Sequence, residues 1–92
     1  MEDHRLKSYC LVVENESFSR AAHARHMTQS AMSRLIKSLE QDLGVTLLHR
    51  KGKAVLPTPE GKLFYEQART ILEDYARMER DIGEVFPEWT MS

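Results

Sequence analysis

The sequence predicts a mainly α fold in which three short helices carry a small β-hairpin and a long final helix runs on from them. Three observations predict it. Two short helical segments meet across a tight turn between Arg25 and Thr28, and the second has one apolar face and one polar, basic face. Two brief apolar runs then flank the basic stretch Lys51-Gly52-Lys53, which reads as a hairpin tip. Beyond Pro59, apolar residues recur at alternating intervals of four and three, the spacing of a paired helix. Helix, tight turn, helix and hairpin together define a winged helix-turn-helix, here with a long C-terminal linker and dimerization helix.

Each element has its own signals. The first helix is expected over residues 4–15, capped by Asp3, with Leu6, Tyr9, Cys10 and Val13 as its apolar face. Cys10 is the only cysteine, which excludes an intramolecular disulfide and a multi-cysteine metal site. Its reading is a small buried apolar residue, with a reactive thiol as the alternative. Ser19 is the expected N-cap of a short second helix over residues 20–25, preceded by Phe18 as a hydrophobic staple. Ala21 and Ala22 leave room for a neighbouring helix to cross closely. Thr28 caps the third helix, expected to run to about Asp42, where Met32, Ile36, Leu39 and Leu43 form the apolar stripe. Gly44 stops it, being free to turn left-handed.

The hairpin is expected to use Val45 to Arg50 and Ala54 to Pro57, with Pro57 at the end of the second run. Thr58 and Pro59 then supply an N-cap and a first-turn proline for the last helix. Its seam is Phe64, Ala68, Ile71, Tyr75, Met78 and Ile82, with Leu63 and Leu72 beside it to pack back on the body. This pattern fits a two-stranded interface between copies of the chain, with burial against the same chain as the alternative. Gly83 and Pro87 are expected to end the helix. The division is therefore residues 1–58 as the winged body, 59–83 as the linker and dimerization helix, and 84–92 as a short tail holding Phe86, Trp89 and Met91.

With 92 residues there is room for one small domain and a projecting element. The opening Met1-Glu2-Asp3-His4-Arg5 lacks the pattern of a secretory signal, and no apolar run approaches membrane-spanning length, so the cytoplasm is the expected location and no membrane partner is expected. Net charge is −1, which alone argues weakly against nucleic acid. Its distribution reverses that argument. Residues 1–53 hold nine Lys or Arg against six Asp or Glu, for +3, and residues 54–92 hold four against eight, for −4. A basic front with an acidic tail suits a DNA-facing surface. No glycine-rich phosphate loop and no nucleophile–base arrangement is legible, so no enzyme activity is expected. His23 and His26 lack further ligands, and neither a metal nor another cofactor is expected.

The stretch Ser17-Phe18-Ser19-Arg20-Ala21-Ala22, continued by Thr28-Gln29-Ser30-Ala31-Met32-Ser33-Arg34-Leu35-Ile36-Lys37-Ser38-Leu39-Glu40, closely resembles the amino-terminal domain of LysR-type transcriptional regulators. The resemblance continues through Leu43-Gly44-Val45-Thr46-Leu47-Leu48-His49-Arg50 and Pro57-Thr58-Pro59-Glu60-Gly61, and covers residues 4–83. It implies a DNA-reading pair of helices, a wing and a helix through which two subunits pair. Most members are longer, with a carboxy-terminal effector-sensing domain; that domain is absent from these 92 residues, which reads as an excised fragment or a truncated relative. Ser30 stands where the family commonly has proline, and Leu48 where it commonly has phenylalanine. Serine still suits a first helical turn, and leucine keeps the apolar anchor.

The expected site follows from position and chemistry. Gln29, Ser30, Ser33 and Arg34 are the candidates for base edges in the major groove, since an amide can give and take a hydrogen bond and a guanidinium can make a two-pronged contact. Thr28, Lys37 and Arg20 are the candidates for the DNA backbone. On the wing, Arg50, Lys51 and Lys53 are expected at the minor groove, where a narrow groove concentrates negative potential. Arg50 is the preferred anchor, with a salt bridge holding the hairpin to the body as its alternative role. The expected partners are a second copy of the chain and double-stranded DNA carrying an interrupted inverted repeat. The competing class is a protein-interaction module that reuses the winged-helix fold.

Overall fold

The computed structural model describes residues 4–85 and has the order α1 (His4–Asn15), α2 (Phe18–Ala24), α3 (Gln29–Leu43), β1 (Leu48–Lys51), β2 (Ala54–Pro57) and α4 (Pro59–Val85). The expected cap Asp3 and the tail residues Phe86, Trp89 and Met91 lie outside the described residues. Helix α1 lies at the centre, packed by α2, α3, α4 and β2. That enclosure widens its buried arc beyond one stripe: Val12 is fully buried with Tyr9, while the expected Leu6 and Val13 are only half-buried.

Helix α2 starts earlier than expected. Glu16 turns in the left-handed region at φ 53°, which leaves Ser17 extended. Ser17, not Ser19, is therefore the N-cap, its hydroxyl accepting from the Arg20 N–H at 3.1 Å. Phe18 becomes the first helical residue and packs against the core. The helix closes with His26 at φ 56°, the His26 N–H donating to the His23 carbonyl and the Met27 N–H to the Ala22 carbonyl. Both bonds of a Schellman closure are thus made without glycine. Ala21 and Ala22 are buried between α1 and α3, as their size predicts.

Helix α3 is capped as expected, Thr28 Oγ1 accepting from the Ala31 N–H at 3.1 Å, and it stops at Gly44 with φ 71°. Met32, Ile36 and Leu39 fill the core, but Leu43 is 46% exposed because the stripe runs past the edge of the body in the last turn. Arg5 holds α3 to α1 through Asp42 at 2.6 Å and Ser38 Oγ at 3.3 Å.

The two strands pair antiparallel from Leu48 opposite Pro57 to Lys51 opposite Ala54. The loop is thus only Gly52-Lys53, tighter than the expected three-residue tip. Gly52 has φ 61°, which a two-residue turn with glycine first requires. The first strand also begins late, at Leu48, leaving Val45 and Thr46 as exposed connection. Leu47, Leu48 and Val55 anchor the hairpin in the core, and the Val55 N–H donates to the Glu16 carbonyl at 3.0 Å.

Thr58 caps α4, its hydroxyl accepting from the Gly61 N–H at 3.0 Å. Gly61 is buried where a Cβ would collide with the Leu47 carbonyl oxygen and the Tyr9 hydroxyl. That hydroxyl stands 3.0 Å from the carbonyls of both Leu47 and Gly61, so its one proton ties α1 to the hairpin approach and to α4. Contrary to expectation, Gly83 does not end α4, which continues to Val85. A glycine in right-handed helix costs only about 1 kcal/mol relative to alanine.

Candidate nucleic-acid interface

The outward face of α3 gathers the expected readers. Gln29, Ser30, Ser33, Arg34 and Lys37 are all exposed, and at 100° per residue they span an arc of roughly 140° that adjoins Ile36 at the Gln29 edge and faces away from Met32 and Leu39. Thr28 is exposed at the start of the same helix, and Arg20 is exposed on α2. The structure therefore brings five of these side chains onto one surface that a groove could receive. Among the described residues, neither Arg34 nor Lys37 is held in an ion pair.

The wing divides its basic residues between two positions. Lys53 lies in the two-residue loop and Lys51 at the last strand pair, both exposed. Arg50 is placed differently. Its guanidinium carbon stands 5.6 Å from the centroid of the Phe18 ring, a cation–π contact that turns it back toward the body. It lines a cleft of about 320 Å³ between α3 and the hairpin, together with Ser33 and Lys37. The alternative of a wing-to-body tie thus takes the form of an aromatic stack rather than a salt bridge.

Two supporting residues escaped the sequence reading. Glu40 is half-buried, and its Oε2 accepts from the Leu47 N–H at 2.7 Å and the Leu48 N–H at 3.3 Å. It fixes the end of α3 against the start of the wing. Its signal was its place one turn after Ile36, beside the apolar stripe, where a carboxylate faces backbone rather than water. Phe18, expected as a staple, is also a platform for Arg50, a contact that depends on the hairpin folding over α2.

The expected dimer seam is split by its surroundings. Phe64 packs edge-on to Tyr9 with centroids 5.2 Å apart, and Ala68 is 1% exposed, so both belong to the chain's own core. Tyr75 and Ile82 are half-buried, whereas Ile71 and Met78 are 41% and 47% exposed. Val85 extends the same spacing and is 67% exposed. Leu63, expected to pack back, is 58% exposed; Leu72 does pack back and shares a groove with Cys10 and Leu11. The α1–α4 contact has a polar edge as well. The Tyr65 hydroxyl donates to Glu14 at 2.7 Å across it, while Arg69 pairs with Glu73 at 3.2 Å within α4. Burial pushes the Cys10 thiol up to about 11, so at neutral pH it is a protonated, buried side chain.

An exposed polar face on a helix-turn-helix, a basic hairpin and a long trailing helix define the winged helix-turn-helix class. The family model "Bacterial regulatory helix-turn-helix protein, lysR family" matches residues 4–62, and the chain belongs to that family. It is 40% identical over 78 residues to the HTH-type transcriptional regulator BenM of Acinetobacter baylyi, covering 85% of this chain and 26% of BenM. It is 42% identical over 77 residues to the HTH-type transcriptional regulator CrgA of Neisseria meningitidis, covering 84% of this chain and 26% of CrgA. The chain thus spans about a quarter of the length of these relatives. The crystal structure of the BenM_DBD/benA site 1 DNA complex superposes with a TM-score of 0.88 at 36% identity, covering 92% of this chain and 96% of that one. The CbnR_DBD–DNA complex does so with a TM-score of 0.84 at 35% identity, covering 92% and 98%.

Proposed function

We propose that this chain is the sequence-specific, double-stranded DNA-binding module of a bacterial transcriptional regulator, acting as a homodimer in the cytoplasm. The carrying observation is the exposed face Gln29, Ser30, Ser33, Arg34 and Lys37 on α3, set beside a basic wing in a chain that superposes on DNA-bound relatives. Helix α3 enters the major groove, where Gln29, Ser30, Ser33 and Arg34 meet base edges. Thr28, Arg20 and Lys37 hold the backbone, and Lys51 and Lys53 bring the hairpin tip to the minor groove.

In this reading residues 1–58 are the reading body, and the helix from residue 59 both links and pairs two copies. Pairing through the open apolar positions of α4 presents two copies of α3 to two half-sites, which calls for an interrupted inverted repeat. Duplex affinity measured against salt tests the reading. Affinity should fall steeply between 50 and 200 mM salt, by roughly 10³-fold or more if six or more phosphates are contacted. Lys37→Ala should lower the salt slope by about one unit on every duplex, whereas Gln29→Ala should cost about 1–3 kcal/mol at one base pair. Paired chains without salt-dependent duplex affinity would leave a protein-interaction module instead.

A further inference from the structure

We propose that the cleft between α3 and the wing is a seat for one phosphodiester of the DNA backbone, built by Arg50 and Lys37, and that Phe18 is the residue that positions Arg50 in it. This inference rests on the DNA-binding reading and goes beyond it, because it moves Arg50 from the minor groove to the ridge between the grooves.

A helix in the major groove and a hairpin at the adjacent minor groove straddle one sugar-phosphate strand, since that strand is what separates the two grooves. Whatever lines the cleft between helix and hairpin therefore faces phosphate rather than base edges. Here the cleft has a floor of Phe18, Ile36, Leu48 and Val55 and carries Ser33, Lys37 and Arg50. Arg50 alternates onto the face of the buried Leu48 and lines the cleft together with its neighbour His49, while the tip residue Lys53 lies beyond it.

The electrostatics select an anion. Neither Lys37 nor Arg50 is ion-paired among the described residues. The one carboxylate in the cleft, Glu40, already accepts two backbone N–H bonds from Leu47 and Leu48. Lys37, Arg50 and Glu40 thus leave the cleft with a net charge of +1, and the hydrogen bonds of Glu40 go to backbone N–H groups rather than to either cation. The Phe18 ring holds the guanidinium carbon of Arg50 at 5.6 Å from its centroid, and a guanidinium so placed still has the forked N–H donors that suit a phosphate. An arginine already held in place loses less rotamer freedom on contact than one on a free hairpin tip.

The test compares two 30-base-pair duplexes, one carrying A-tracts with a narrow minor groove and one rich in G·C. Affinity and salt slope are measured for the wild-type chain and for Arg50→Gln, Lys37→Gln, Lys53→Gln, Phe18→Leu and Phe18→Tyr, with thermal unfolding as a check on folding. Arg50→Gln should lose roughly ten- to hundredfold affinity on both duplexes alike, the loss of a charged hydrogen bond, with a salt slope lower by about one. Lys53→Gln should lose more on the A-tract duplex. Phe18→Leu should weaken both duplexes, and Phe18→Tyr, which keeps a ring under Arg50, should restore the wild-type slope. Should Arg50→Gln fail to fold, the exposed Lys37→Gln and the Phe18 pair carry the same comparison.

An Arg50 or Lys37 loss confined to the A-tract duplex, or no loss at all, would overturn the seat. So would a wild-type slope in Phe18→Leu, as far as the role of Phe18 is concerned. Inorganic phosphate, titrated at constant ionic strength, separates the two sources of the anion: saturable binding that leaves DNA affinity untouched would make this a free-phosphate site and overturn the DNA assignment. If the wild-type chain shows no salt-dependent duplex binding, the DNA-binding reading itself fails, a result distinct from failure of the Arg50 comparison alone.

Discussion

The two halves of α4 have the same apolar rhythm and opposite surroundings. In the first half Gly61 is wedged under Leu47 and Tyr9, Phe64 meets the Tyr9 ring edge-on, and Ala68 is sealed against the body. In the second half Ile71, Met78 and Val85 face outward, while Tyr75 and Ile82 between them are half-buried. A repeat of four and three therefore marks where a helix needs apolar cover, not whose chain supplies it. The first half is covered by α1 and the hairpin. The second half leaves Ile71, Met78 and Val85 open, and the proposed cover is the same helix of a second copy, whose spacing matches.

Four substitutions would break or sharpen that contrast, all compared at one protein concentration because pairing adds to apparent stability. The largest effect is expected for Gly61→Val, which forces side-chain atoms into the Leu47 carbonyl and the Tyr9 hydroxyl. Urea unfolding should show a loss of about 3 kcal/mol or more. A loss below about 1 kcal/mol would mean that the docked half is not rigidly seated. Next is Ile71→Asp, which should convert dimers to monomers in sedimentation while the winged body stays folded. Dimers of wild-type strength would put the interface elsewhere.

Tyr9→Phe follows. It keeps the ring against Phe64 and removes one shared hydroxyl, for a cost of about 1–2 kcal/mol in the same unfolding experiment. The Leu47 carbonyl keeps the Thr58 N–H at 3.0 Å, which limits the loss. The smallest effect belongs to Arg77→Ala in the open half, where the ion pair with Asp74 is exposed on both sides. It should cost no more than about 0.5 kcal/mol, and a larger cost would show that this surface is covered in the dimer.

Much of the fold was legible because its signals are local. Thr28 and Thr58 cap the helices they were expected to cap, Gly44 turns left-handed, and Met32, Ile36 and Leu39 are buried at helical spacing. The errors fall where two local signals compete or where tertiary packing decides. Ser17 and Ser19 are both acceptable caps, and the left-handed turn at Glu16 selects the first. Val12 joins the core because α1 is enclosed on several sides, which no single-stripe reading anticipates. The exposed α3 face was legible for the same local reason as its caps. The place of Arg50 over Phe18 was not, since it joins residues 32 positions apart through the fold of the hairpin.

The central claim is that α3 and its copy in a second chain read two DNA half-sites. Selection from a randomized duplex library at near-physiological salt, followed by sequencing of the bound fraction, tests it most directly. Enrichment of an interrupted inverted repeat, lost in Ile71→Asp and altered at one base pair in Gln29→Ala, is the predicted result. A folded, paired chain that enriches no sequence would contradict the claim.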